Sequence, residues 1–388
     1  MNFKRKITPG RFYIPQMDGL RFIAIMAVII LHINTYYVIY YMPKRTIPVN
    51  SAWWLGAWGV QLFFVISGFL LAIPFAKASF SASDPPSLRK YYLRRLTRLE
   101  PPYIVAACSL FLLGAIIHHF KLAAPRWPQF SDWPHLLGSL FYQHDVLYGA
   151  PSKISVVFWS LEVEVQFYLL MPLFAKIFRL PGILARRTIL LAVVVGYAWI
   201  LRLPYRPILN LTLLGQLPWF AAGMLLADYY LRAGGERLHR AYAWDLASLG
   251  AWPAFVMILL SRRLLEFAPV TLLLAYLGAL RGRVSSAIFA TPALTIIGGM
   301  CYSIYLLHYN IISAVGYIVR PLLQNHAYSQ RLPLLYLFML PAIGLISTAY
   351  YLFLERPCMD PAWPQRLLRR FSRLRRAESL AKATSASG

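Results

Sequence analysis

The chain has 388 residues, 59% of them hydrophobic and 14% charged, with a formal net charge of +25. That balance excludes an ordinary soluble globule and fits a polytopic membrane protein. In a soluble chain such a basic excess would suggest nucleic acid, but Lys and Arg collecting in cytoplasmic loops account for it here, so no nucleic-acid partner is expected.

Ten apolar stretches are predicted to span, at about 20–42, 54–76, 100–120, 157–178, 187–203, 211–231, 243–260, 266–281, 293–319 and 333–354. The first run is too long for a signal peptide and no small-residue cleavage site follows it, so it reads as an uncleaved first helix. With the N-terminus inside, the inner segments hold more than twice as many Lys and Arg as the outer loops, which places both termini in the cytoplasm. The expectation is an all-α transmembrane bundle in one domain, 1–356, with a basic cytoplasmic tail, 357–388. Cys108, Cys301 and Cys358 show no paired spacing, so neither a disulfide framework nor a metal site is expected.

The first helix carries Asp18, Arg21 and His32 on one face. The imidazole lies roughly 16 Å above the arginine, about halfway through a ~30 Å hydrocarbon core. An imidazole at that depth is either bonded to a neighbouring helix or part of a wet site.

Between the second and third spans, Asp84-Pro85-Pro86-Ser87 predicts a turn. Leu88, Tyr92, Leu96 and Leu99 beside Arg89, Lys90, Arg94, Arg95 and Arg98 then predict an interfacial helix, with Pro101 and Pro102 starting the third span. Arg95 and Arg98 stand at helical spacing, suited either to phosphates of a cytoplasmic donor or to lipid headgroups. On the outside, Trp127, Trp133, His135 and Tyr142 predict a short interfacial helix within 121–156.

The fourth span opens on Trp159-Ser160-Leu161-Glu162-Val163-Glu164-Val165-Gln166-Phe167-Tyr168. Its carboxylates are about 200° apart around a helix and cannot both face one site. Ser160, Glu164 and Tyr168 share one face, and Glu162 and Gln166 another. Such carboxylates serve either a site or helix packing. This span enters from the outside, so Glu164 is expected in the outer half. Ser67-Gly68 in the second span reads first as a close-packing face. His308, in Tyr302-Ser303-Ile304-Tyr305-Leu306-Leu307-His308, is a second intramembrane imidazole. Arg202 is expected to snorkel, and 365–376 to form a surface-bound amphipathic helix followed by a disordered end.

Taken in order, these segments resemble the integral-membrane acyltransferase 3 family. The resemblance is carried by Asp18-Gly19-Leu20-Arg21 with His32, Phe63 to Phe69, Arg95 and Arg98 before Pro101, Trp159 to Tyr168, Tyr302 to His308, and Glu355-Arg356-Pro357. It implies about ten helices in a bacterial cytoplasmic membrane. It also implies transfer of an acyl group, usually acetyl, from cytoplasmic acyl-CoA as co-substrate to a hydroxyl, with no permanently bound cofactor. Acceptors in the family are commonly envelope sugars, and some members act on macrolides or lipid-linked glycans.

The resemblance marks His32 as the catalytic residue and Glu164, not Glu162, as the family's glutamate. It implicates Arg21, Arg95 and Arg98 in donor binding or site architecture. Asp18, Ser67, Ser303 and His308 are supporting candidates, the two serines as oxyanion donors. Gln61 stands where many members carry Asp. The fused extracytoplasmic domain of many peptidoglycan-modifying relatives is not seen, which favours direct acylation of the acceptor.

The expected mechanism has His32 as base while the hydroxyl attacks the thioester. An acyl-His intermediate is the other chemistry. A secondary transporter and a structural membrane protein are the rivals from other classes; the first predicts paired repeats, which the sequence does not show.

Overall fold

The computed structural model describes residues 13–41, 52–120, 130–200, 211–235, 239–261 and 264–366. The predicted helix at 365–376 lies almost wholly outside these residues, as do Trp127 and Arg202.

Among the described residues the chain is helical, with no strand. The first half contains α1 (Pro15–Tyr41), α2 (Gly59–Phe80), α3 (Leu88–His119), the short α4 (Trp133–Leu140) and α5 (His144–Tyr148), and α6 (Phe158–Phe174). Then come α7 (Ile183–Ile200), α8 (Leu213–Arg232), α9 (Tyr242–Ser261), α10 (Ala268–Arg281), α11 (Arg283–Phe289) and α12 (Pro292–Gly299). The long α13 (Cys301–Leu323) and α14 (Tyr328–Tyr350) follow, and a π-helical turn (Tyr351–Glu355) leads into α15 (Arg356–Cys358).

All ten predicted stretches fall on helix, with shifted edges. Among the described residues six helices are long and apolar enough to cross a membrane, and the pair ending in α10 and α11, bent by 89°, would make a seventh. The ninth stretch is two helices, α12 and α13, broken at Met300. The outer loop carries α4 and α5 where one short helix was expected.

The predicted interfacial helix at 88–99 is the first part of an unbroken α3, which runs through Pro101 and Pro102. Proline removes the N–H that would bond the carbonyl four residues earlier. At Pro101 that carbonyl belongs to Thr97, and the Trp363 indole N–H donates to it at 2.8 Å. Two further α3 carbonyls near the prolines also accept side-chain donors, Leu99 from the Tyr302 hydroxyl at 2.9 Å and Pro102 from Tyr350. Pro172 in α6 leaves the Tyr168 carbonyl open in the same way, and the Tyr91 hydroxyl of α3 fills it at 3.2 Å. Neighbouring side chains thus keep a proline-bearing helix continuous in an environment with little water.

Small residues set the closest helix pairs. A methyl at Gly68 would stand 2.3 Å from the Phe220 carbonyl oxygen, and one at Gly223 would stand 2.2 Å from that of Val65. So α2 and α8 meet backbone to backbone, as the Ser-Gly pair suggested. Phe220 fills the space beside them, its ring 4.7 Å from Phe64 and 4.1 Å from Phe167. At the foot of α1, the Asp18 carbonyl presses against Gly298 of α12. These contacts fix α1, α2, α6 and α12 around one polar cavity.

Candidate active site

The foot of α1 supplies the first cation. Asp18 is buried, and Arg21 donates to its Oδ1 at 2.5 Å. Arg21 also lines a cavity of about 860 Å³, its open mouth included, together with Ser67, Arg95, Arg98, Glu164 and Glu355. The continuous α3 brings both of its arginines into this wall. Had Pro101 begun a new helix, Arg95 and Arg98 would lie on a separate surface segment. The Arg95 guanidinium sits 5.9 Å from the Tyr91 ring and 5.4 Å from the Tyr168 ring. Its Nε is buried without a hydrogen bond, and no described carboxylate ion-pairs with it. Its exposed N–H groups are therefore available to an anion entering the cavity.

The face read on α6 is the face used. Ser160, Glu164 and Tyr168 all line the cavity. Glu162 turns the other way, where its Oε2 accepts the Asp145 backbone N–H at 3.0 Å. Gln166 accepts the Leu213 N–H at 2.8 Å and so ties α6 to α8. Glu164 lines the same cavity as Arg21, Arg95 and Arg98. Helix α6 runs alongside α3, tied to it by Tyr91 and by Tyr92, whose hydroxyl donates to the Leu169 carbonyl at 3.0 Å.

Both candidate oxyanion serines are engaged with carboxylates. Ser67 donates to Glu164. Ser303 does not line the cavity; its hydroxyl and its backbone N–H donate to Glu355 Oε2 at 2.5 and 3.1 Å. Glu355 itself is a wall residue without a role in the sequence reading. The π-helical turn that carries it aims the carboxylate inward, and no local pattern signals that turn. Tyr302 and Tyr305 of α13 complete the wall.

His32 is half-buried and does not line the cavity. Its ring centroid is 5.1 Å from that of His308 and 5.1 Å from that of Tyr309. His308 is fully buried, and its Nδ1 faces the carbonyls of Tyr305 at 2.8 Å and Ile304 at 3.1 Å. Carbonyls only accept, so Nδ1 carries a proton and Nε2 carries a lone pair. That Nε2 is buried and has no hydrogen-bond partner. Tyr305 connects this imidazole pair to the cavity. Its ring lies 5.6 Å from His308, and its hydroxyl is 2.5 Å from Ser160 Oγ and donates to the Val157 carbonyl at 3.1 Å.

A second, largely apolar cavity of about 690 Å³ shares Arg95, Leu99, Leu161, Glu164, Tyr168 and Tyr302 with the first. It lies between α3 and α6 and includes Leu96 and Leu169, both exposed on the outer surface of the bundle. Among the described residues no three His, Cys, Asp or Glu side chains gather as metal ligands.

An apolar helical bundle with a charged internal cavity is the setting of an integral-membrane acyltransferase, and residues 14–352 match the family described as acyltransferase domain, type 3. The chain belongs to that family, and it is a multi-pass membrane protein.

Among its relatives, the peptidoglycan O-acetyltransferase OatA of Listeria monocytogenes is 29% identical over 180 residues, covering 45% of this chain and 26% of the relative. The acyltransferase MdmB of Streptomyces mycarofaciens is 30% identical over 176 residues, 43% of this chain and 40% of the relative. The O-acetyltransferase OatA of Staphylococcus aureus is 30% identical over 169 residues, 42% of this chain and 24% of the relative. The matches therefore span between about a quarter and two fifths of these relatives' length. No solved structure matches.

Proposed function

We propose that the protein is a membrane-bound O-acyltransferase, moving an acetyl group from cytoplasmic acetyl-CoA to a hydroxyl of an envelope glycan at the bacterial cytoplasmic membrane. The observation that carries this reading is the convergence of Arg21, Arg95 and Arg98 with Glu164 on one cavity inside an apolar bundle. Charged groups at that depth are costly unless they serve a polar ligand or one another. The Arg95 guanidinium, held between two tyrosine rings, suits a phosphate of the donor. The OatA relatives are O-acetyltransferases by name, one of them of peptidoglycan.

The thioester reaches past Tyr305 towards His32. The acceptor hydroxyl attacks the thioester carbonyl, a C–O bond forms and the C–S bond breaks. The hydroxyl proton passes to His32 and then to the departing thiolate. His32 does this as a neutral imidazole, whose unprotonated ring nitrogen accepts the proton. Such base catalysis typically contributes about 10²–10⁴-fold. His308, its tautomer fixed by two carbonyls, holds the orientation of His32 through ring contact. Glu164, bonded to Ser67, orients the acceptor. No resident cofactor takes part.

The apolar side cavity favours a second reading of the acceptor, a macrolide or lipid-linked molecule whose apolar part occupies that space. A transporter would instead show substrate flux without consuming acyl-CoA.

The test is acyl transfer in inverted membrane vesicles carrying wild type or His32→Ala at equal expression, supplied with radiolabelled acetyl-CoA. Label entering glycan with wild type, and falling by about 10²-fold or more in the variant, is the expected result. Label in a lipid-extractable or soluble fraction would select the second acceptor reading. Equal labelling by both proteins would remove His32 from the chemistry.

A further inference from the structure

Away from the cavity, α2, α7, α8, α9 and α10 meet at one end of the bundle around a buried carboxylate. Asp228 of α8 is fully buried and accepts two arginine Nε–H groups, from Arg186 at 2.6 Å and Arg187 at 2.7 Å. Arg186 is itself only 1% exposed. Its Nη1 donates to the Leu180 carbonyl at 3.1 Å, and its Nη2 is buried with no hydrogen-bond partner.

Two more guanidiniums join through shared rings. Phe80 lies under both Arg186, at 4.7 Å, and Arg232, at 4.1 Å. Tyr229 lies under both Arg187, at 5.6 Å, and Arg281, at 5.7 Å. Arg281 also stacks on Trp244 at 4.6 Å and donates to the Tyr229 hydroxyl.

The charges in this cluster do not balance. Two of the four guanidiniums, Arg186 and Arg187, ion-pair with Asp228, and the described residues give Arg232 and Arg281 ring contacts but no carboxylate. The next carboxylate, Asp245, accepts the N–H groups of Arg283, Val284 and Ser285 and the Ser285 hydroxyl at the start of α11. Like charges gathered near a low-dielectric interior repel one another unless an anion offsets them. The rings hold the guanidiniums in place, while Arg232 is exposed and Arg187 is partly exposed.

Apolar residues flank the cluster on the outer surface. Leu184 on α7 is 77% exposed and Leu246 on α9 is 70% exposed, with Ile183 and Tyr242 beside them. In a multi-pass membrane protein such exposed apolar residues face hydrocarbon, so the arginines stand at the level of lipid headgroups.

We propose that this cluster is a binding site for an anionic glycerophospholipid. The headgroup phosphate is held by Arg187, Arg232 and Arg281, and the acyl chains lie along Leu184 and Leu246. Guanidinium forks match phosphate geometry. The flanking hydrocarbon surface selects a lipid over free phosphate. The site is independent of the acyl-transfer reading, and its test needs no turnover.

The full-length protein is placed in nanodiscs of phosphatidylcholine, alone or with phosphatidylglycerol, and bound lipid is counted by native mass spectrometry alongside the thermal midpoint. Wild type is expected to retain phosphatidylglycerol selectively and to melt several degrees higher with it. Arg232 makes no described hydrogen bond, so Arg232→Gln should fold normally and weaken retention about fivefold, the worth of one arginine near an anionic lipid. Arg187→Gln should do the same and also lower the midpoint in both lipids, because it leaves Asp228 with one partner fewer. Arg320→Gln, at a guanidinium stacked on Tyr40 elsewhere in the bundle, should leave retention unchanged. Retention that is unaffected by Arg232→Gln and Arg187→Gln would overturn the proposal and leave the cluster as helix packing alone. Complete displacement of the lipid by sodium phosphate would overturn the choice of a lipid.

Discussion

At the residue scale the site depends on how Arg95 is held. Arg95 contacts two tyrosine rings and no described carboxylate, so its fork is held open for a ligand. Arg95→Lys keeps the charge but loses the planar fork. If Arg95 binds a donor phosphate, KM for acetyl-CoA should rise about tenfold, the worth of one charge-assisted hydrogen bond, with kcat little changed. Steady-state kinetics in vesicles would check this.

Asp145, in the outer loop, is a different case. Its carboxyl is fully buried with the His144 Nδ1 at 3.7 Å from Oδ1, and burial pushes its pKa above the ordinary value although that ring opposes the shift. The folded protein then binds that proton more tightly than the unfolded chain, whose value is about 3.9. Stability is favoured below the unfolded value and is lost as pH rises through the folded one. Asp145→Asn removes the group that ionises. It should raise the thermal midpoint at pH 8 and leave it unchanged near pH 4. An equal shift at both pH values would mean that ionisation is not the cause.

Proline decides the shape of the site at the element scale. Helix α3 continues through Pro101 and carries Arg95 and Arg98 into the cavity, and the carbonyl orphaned by Pro101 has a partner in Trp363. Trp363→Phe retains the ring bulk and removes the donor. A buried carbonyl left without a partner costs about 1–3 kcal/mol. The variant should therefore melt lower, and its loss should be recovered poorly by any apolar residue at that position. A residue after the last span thus bears on a helix 266 residues earlier in the chain. The π-helical turn acts at the same scale, since it sets the direction of Glu355 and through it Ser303 at the start of α13.

Sidedness belongs to the whole molecule. The distribution of Lys and Arg predicts residues 81–87 inside and α4 and α5 outside. A membrane-impermeant maleimide should label Ala150→Cys in intact cells, and Ser83→Cys only after permeabilisation; both positions are exposed. The reverse pattern would invert the bundle and put the arginine-lined cavity out of line with a cytoplasmic donor.

Local order was legible in the residues themselves. Helical periodicity put Ser160, Glu164 and Tyr168 on one face and Glu162 on another, and the cavity respects that division. The apolar stretches located every long helix, because burial in lipid demands continuous hydrophobicity. Tertiary structure decided the rest. Whether Pro101 starts a helix or lies within one depends on a tryptophan more than 250 residues later. The approach of His308 to His32, the fixing of its tautomer and the seat of Glu355 in the cavity wall all arise from contacts between distant helices. Sequence periodicity is a local quantity, set by backbone geometry within one helix. Which faces of separate helices meet is set by packing, here by glycines that let backbones touch and by carbonyls that must find donors.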